Sequence, residues 1–179
     1  MNRRQLLKQL AMAGTAALIL PSCISDPKKV SIALNNLSVT GNDEELLALL
    51  AETLIPETDT PGARTVKAHL FTLVMVDDCM DTESKEKFVK GMKAFDENCK
   101  KISGTSFTDA SPGERSSLVA QIEKGDGVAE DVKTFYHIAR GYIISGYTSS
   151  EFFLTKIKPY QLIPGPHFQG CAPVSTNPA

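Results

Sequence analysis

The sequence predicts an all-α fold, a compact bundle of about six helices. Three observations predict it. Apolar residues recur at steps of three and four along successive stretches, the steps that stack side chains on one face of a helix. Residues that start and stop helices punctuate those stretches. No run alternates apolar and polar residues with the period of a strand.

The chain has 179 residues, 19 of them basic and 21 acidic. That length is enough for one domain with a real core. No basic stripe stands out, which argues against nucleic acid as a partner.

The first segment reads MNRRQLLKQLAMAGTAALILPSC. A positive start leads into an apolar run at residues 10–20, too short to cross a bilayer comfortably, which is the layout of an export signal. Arg3-Arg4-Gln5-Leu6-Leu7-Lys8 resembles the twin-arginine motif, with Asn2 where serine or threonine is usual and Leu6 where phenylalanine is common. Leu20-Pro21-Ser22-Cys23 resembles a lipoprotein box, in which Cys23 would take the lipid and become the new N-terminus. Ordinary cleavage nearby, with Cys23 incidental, is the alternative. Removing residues 1–22 takes away Arg3, Arg4 and Lys8 and no acid, which moves the net charge from −2 to −5. The expected organisation is a signal peptide over 1–22, a polar tether with one short apolar patch over 23–42, and a helical domain over 43–179.

Asn42 or Asp43 can cap the first helix, whose stripe is Leu46, Leu47, Leu50 and Leu54, and Pro56 closes it. The second is expected to start near Pro61, where a missing N–H costs nothing, and to run through Val66, Leu70 and Val74 to about Cys79. Asp81 or Thr82 opens the third, with Phe88, Met92, Phe95, Cys99 and Ile102 as one buried stripe. Ser111 and Glu114 form a capping box ahead of Leu118, Val119 and Ile122, and residues 125–127 (GDG) end that helix. Val128, Val132, Phe135, Ala139 and Tyr142 mark a longer helix, and Ser149 or Ser150 can cap a last short one before Pro159. The final twenty residues, rich in proline and glycine, are expected to form a loop or tail.

The chemistry-bearing residues do not converge on a catalytic pattern. Phosphate-binding loop, nucleophile elbow and Cys-x-x-Cys-His haem motif are all missing, so no cofactor site is expected in this chain. His69 lies beside an apolar stripe, His137 shares a face with Lys133 and Arg140, and His167 stands in a loop. Asp77, Asp78 and Asp81 lack the spaced ligands of a calcium loop and read as helix-end acids. If Cys79 and Cys99 lie at opposite ends of the third helix hairpin, they are roughly 25–30 Å apart, beyond the reach of a disulfide. Cys99 then reads as a core thiol, with Cys171 left open as a partner for either.

The stretches AETLIPETDTPGARTVKAHLFTLVMVDD, GYTSSEFF and YQLIPGPHFQGC, after a twin-arginine start, resemble the gluconate 2-dehydrogenase subunit 3 family over roughly residues 43–171. Residues 55–63, residues 146–149 and Pro164-Gly165 with Gly170-Cys171 carry the resemblance; the inserted Pro166-His167 departs from it. The resemblance implies a non-catalytic small subunit. Its partner would be a large FAD-dependent dehydrogenase of the glucose–methanol–choline type, oxidising a sugar, sugar acid or polyol. Electrons commonly pass on to a separate haem-bearing cytochrome c subunit or to another acceptor. The small subunit would mature the flavin-loaded partner and escort it folded through the twin-arginine route, to the periplasmic side of a membrane held by a lipid at Cys23. Pro56, Asp59, Pro61, Gly62, Tyr147, Gly165 and Cys171 become the expected partner interface.

The residues themselves fit this. Pro56 and Pro61 fix two backbone angles, Asp59 can bond the amides that follow it, and Gly62 permits a close approach, so the corner is preorganised for docking. A stiff interhelical linker with no partner is the plain alternative. A free-standing periplasmic lipoprotein that binds another protein or a small ligand, and an enzyme built on His167 or Cys171, are the competing readings.

Overall fold

A computed structural model describes residues 29–125 and 127–158. The expectations placed on Arg3, Arg4, Cys23, Gly165, His167 and Cys171 lie outside the described residues. Among those residues the chain is all-helical, as expected: α1 (Gly41–Leu54), α2 (Ala68–Cys79), α3 (Thr82–Ser103), α4 (Pro112–Lys124), α5 (Glu130–Thr148) and a π-helical turn at Phe153–Ile157.

The central element is α5, which packs most extensively on α3 and then on α2. Its Val132, Phe135, Tyr136, Ala139 and Ile143 are buried. Phe135 meets Phe88 and Phe95 of α3 at ring-centroid distances of 5.1 and 5.4 Å, and Phe95 meets Phe107 at 5.1 Å. This contact is possible because α3 carries Gly91 where it crosses α5. A Cβ there would fall 2.6 Å from both the Asp131 carbonyl oxygen and the Phe135 Cβ. Four members of the expected α3 stripe are wholly buried, but Ile102 is 42% exposed in the last turn of the helix. Across the bundle, Tyr136 of α5 donates to the Glu123 carboxylate of α4 at 2.7 Å.

Local capping follows the sequence closely at two helices and departs at two. Asp81 caps α3, and Ser111 with Glu114 forms the expected box on α4. At α1 the cap is Thr40, not Asn42 or Asp43. Asp43 supplies the reciprocal half of a capping box and accepts from the Thr40 N–H at 2.8 Å. The second helix begins at Ala68, seven residues beyond Pro61. Residues 63–67 form tight turns instead, because Ala63 donates backward to the Ile55 carbonyl at 2.9 Å and Lys67 adopts the left-handed conformation, φ 60°.

The expected tether does not extend to residue 42. Residues 29–40 form an arm fixed to the bundle, with Leu37 buried and Val30, Ile32, Leu34 and Val39 packed on the core. Full burial of one such side chain stabilises by roughly 1.5–3 kcal/mol, so the short apolar patch is enough to dock the segment. Polar contacts fix its register. The Ser31 N–H and hydroxyl both donate to the Glu44 carboxylate at 2.6 Å. The Asn35 and Asn36 N–H groups donate to the two carboxylate oxygens of Asp77 at 2.7 and 2.8 Å.

A preorganised corner as the candidate partner site

The corner begins where α1 ends. The Ile55 N–H makes a last helical bond to the Ala51 carbonyl at 3.0 Å. Pro56 then excludes helical geometry from the residue before it, and Ile55 takes φ −134°, ψ 85°. The chain turns through residues 56–61 and returns to itself at the Ala63–Ile55 bond.

Gly62 makes that return possible. A Cβ on it would lie 2.7 Å from the Glu57 nitrogen and 3.0 Å from the Ile55 oxygen. Both are backbone atoms of the same loop and have no room to give. Gly62 is buried, so it shapes the corner from inside and offers no surface of its own. Side chains brace the outside. Thr65 donates to the Glu57 carboxylate at 2.7 Å, and the Glu57 N–H donates to Glu52 at 3.1 Å. Arg64 reaches back to Glu45 on α1 at 2.9 Å.

The expected turn closed by the Asp59 carboxylate is not formed. Asp59 makes no side-chain hydrogen bond among the described residues, and the Thr58 N–H instead bonds the Thr60 carbonyl at 3.0 Å. The Asp59 carboxylate is therefore presented to solvent at the tip, with Pro56, Glu57 and Thr58 exposed beside it. Pro61 is half-buried at the base.

Tyr147, the one interface candidate on a helix among the described residues, supports the corner from the last turn of α5. Its hydroxyl donates to the Pro61 carbonyl at 3.2 Å, across 86 residues of sequence. Its ring meets Phe153 edge-on at 5.9 Å. The π-helical turn that holds Phe153 is capped by Ser150, whose hydroxyl accepts from the Phe153 N–H at 3.2 Å. So the two motifs at 55–63 and 146–149 meet in space, which brings Tyr147 to the corner that holds Pro56, Asp59, Pro61 and Gly62.

Lys67 and His69, at the corner's exit, belong to it by position. Lys67 is the only non-glycine residue with positive φ among the described residues. That conformation disfavours any residue with a Cβ and persists only where the surroundings enforce it. His69, two residues on, is buried, and its Nδ1 has no hydrogen-bond partner among the described residues. Burial lowers its pKa below the ordinary value. Arg64 and Lys67 push it the same way, while Glu44 and Glu45 pull it up.

Asp77, a helix-end acid by its place in the sequence, is buried and holds the arm. Burial pushes its carboxyl pKa up, but the backbone N–H groups of Asn35, Asn36 and Leu37 together outweigh this and the net shift is downward. Cys79 is exposed, Cys99 is buried, and neither is in a disulfide among the described residues. Burial first, and Asp96 second, push the Cys99 thiol up to about 12. No group of three or more metal-binding side chains occurs among the described residues. No helix among them is long and apolar enough to cross a membrane.

A family model described as Gluconate 2-dehydrogenase subunit 3 matches residues 42–165, well over half of the chain and the whole of the corner. No curated protein and no solved structure matches the chain.

Proposed function

We propose, from the premise that this chain belongs to the gluconate 2-dehydrogenase subunit 3 family, that it is the non-catalytic small subunit of a sugar, sugar-acid or polyol dehydrogenase. It binds, matures and escorts for export a large FAD-dependent subunit of the glucose–methanol–choline type. The FAD belongs to that partner and haem to a third, cytochrome c subunit. Association with the other subunits of a dehydrogenase complex is what the family implies. Arg3 and Arg4 direct the pair to the twin-arginine route, and a lipid on Cys23 holds it on the periplasmic side.

The corner carries this reading. An exposed tip closed by backbone bonds, braced by side chains and pinned by Tyr147 loses little conformational entropy on docking. A linker between two helices needs none of that bracing, since two to eight flexible residues serve the same connection.

The test is to replace Arg3 and Arg4 with lysine in the host and assay flavin-dependent dehydrogenase activity in periplasm and cytoplasm. Both this chain and its partner are expected to stay in the cytoplasm. Full periplasmic activity of the partner would end the escort reading.

A further inference from the structure

We infer that the arm is the face of the bundle that rests on the anionic headgroups of the bilayer, with the corner held away from it at the other end of α1. The inference rests on the lipid proposed for Cys23. The covalent path from Cys23 to Lys29 is six residue intervals, roughly 20 Å when fully extended. From there on the chain is not free. Ser31 is bonded to Glu44, Asn35 and Asn36 are bonded to Asp77, and Leu37 is in the core.

A domain of this size has a radius of gyration of about 14 Å and is therefore more than about 30 Å across. The leash is shorter than the domain is wide. The bundle cannot turn its far side to the membrane, and the surface around residues 29–33 is the one brought to it. The Ser31 contact fixes this end of the arm at Glu44, and the corner begins at Ile55, eleven residues on, about 16 Å away along the helix axis.

The surface has the chemistry for that place. Residues 29–39 enclose an open groove of about 490 Å³ lined by Lys29, Val30, Ile32, Ala33 and Leu34 among others. Val30, Ile32 and Leu34 are only half-buried, while Lys29 and Ala33 are exposed. Beside it a second groove, about 570 Å³, is flanked by Lys85, Lys90 and Lys93 against the single acid Glu86. Lys90 also pairs with Asp131 at 2.8 Å. With Lys90 paired to Asp131, Lys29, Lys85 and Lys93 stand against Glu44 and Glu86, a small basic excess over an apolar floor. Lysines next to half-buried aliphatic side chains suit the boundary between anionic headgroups and acyl chains.

The chain contains no tryptophan, so a single introduced one reports its own position. Ala33→Trp and Thr58→Trp, both at exposed positions, are made in the full-length lipidated chain. Each is reconstituted into phosphatidylethanolamine–phosphatidylglycerol vesicles with lipid brominated near the glycerol end of the acyl chain. The expected result is loss of emission from Ala33→Trp and none from Thr58→Trp. Quenching of Thr58→Trp, or of neither variant while the protein floats with the vesicles, would overturn the orientation. Emission from Ala33→Trp already blue-shifted in detergent and indifferent to vesicles would assign the groove to residues 159–179 or to a second copy, and overturn it too. Protein that stays off the vesicles with Cys23 unmodified by mass would instead remove the lipid anchor, and the inference with it.

Discussion

Replacing Asp77 with alanine removes the acceptor for two backbone N–H groups of the arm, at 2.7 and 2.8 Å. Hydrogen bonds to a charged group contribute about 1.5–3 kcal/mol each. The arm can lift and rehydrate its amides, which caps the loss near the lower end of their sum, at about 3 kcal/mol. For a domain of this size that lowers Tm by roughly 10 °C. Asp77→Asn keeps the volume and one carbonyl oxygen, so about half of that loss is expected. Urea denaturation at pH 7 measures the global effect, and hydrogen exchange at the Asn35 and Asn36 amides measures release of the arm. The pH dependence gives an independent check. The fold holds the Asp77 carboxyl below its ordinary value of 3.8, so its contribution is complete above that pH. It is lost as pH falls through the lower folded-state value, and Asp77→Ala lacks that limb. A wild-type midpoint and unchanged exchange at Asn35 and Asn36 in Asp77→Ala would refute the reasoning.

Gly62→Ala places a methyl group against backbone atoms that cannot retreat. It is expected to cost about 1–3 kcal/mol in denaturant titration and to reduce the amount of large subunit that co-purifies. Lys67→Gly relieves the left-handed strain at φ 60° and is expected to raise stability by about 1 kcal/mol or less, since glycine also loses more chain entropy on folding. His69 is held neutral by burial, so the unfolded chain takes up a proton first as pH drops below 6.5. Stability then declines with pH, and His69→Leu is expected to flatten that decline in a pH series of thermal melts. With a maleimide at neutral pH, exposed Cys79 is expected to react in the native protein, and Cys99, its pKa raised to about 12, only after unfolding.

Features decided by neighbours in sequence were legible in it. The Ser111–Glu114 box needs only residues three apart, and the α3 stripe from Phe88 to Cys99 needs only helical period. Features decided across long separations were not. Pro61 is a sound first residue for a helix, but the return bond from Ala63 to Ile55 takes that stretch for a loop and delays α2 to Ala68. Nothing local marks Lys67 for a left-handed backbone when a glycine stands five residues earlier. The apolar patch in the arm was visible, yet its docking depends on Asp77, 42 residues from Asn35. The corner and the residues around Tyr147 were each distinctive as motifs. Only the fold brings Tyr147 to Pro61 and makes them one site.

The most direct measurement is a mild-detergent pull-down of the tagged chain from its own host, with an absorption spectrum of the eluate and identification of the co-eluting chains. A flavin spectrum together with a large dehydrogenase subunit is the predicted result, and the same pull-down on Gly62→Ala should return less of both. A colourless eluate holding this chain alone would contradict the small-subunit role and leave a free-standing lipoprotein in its place.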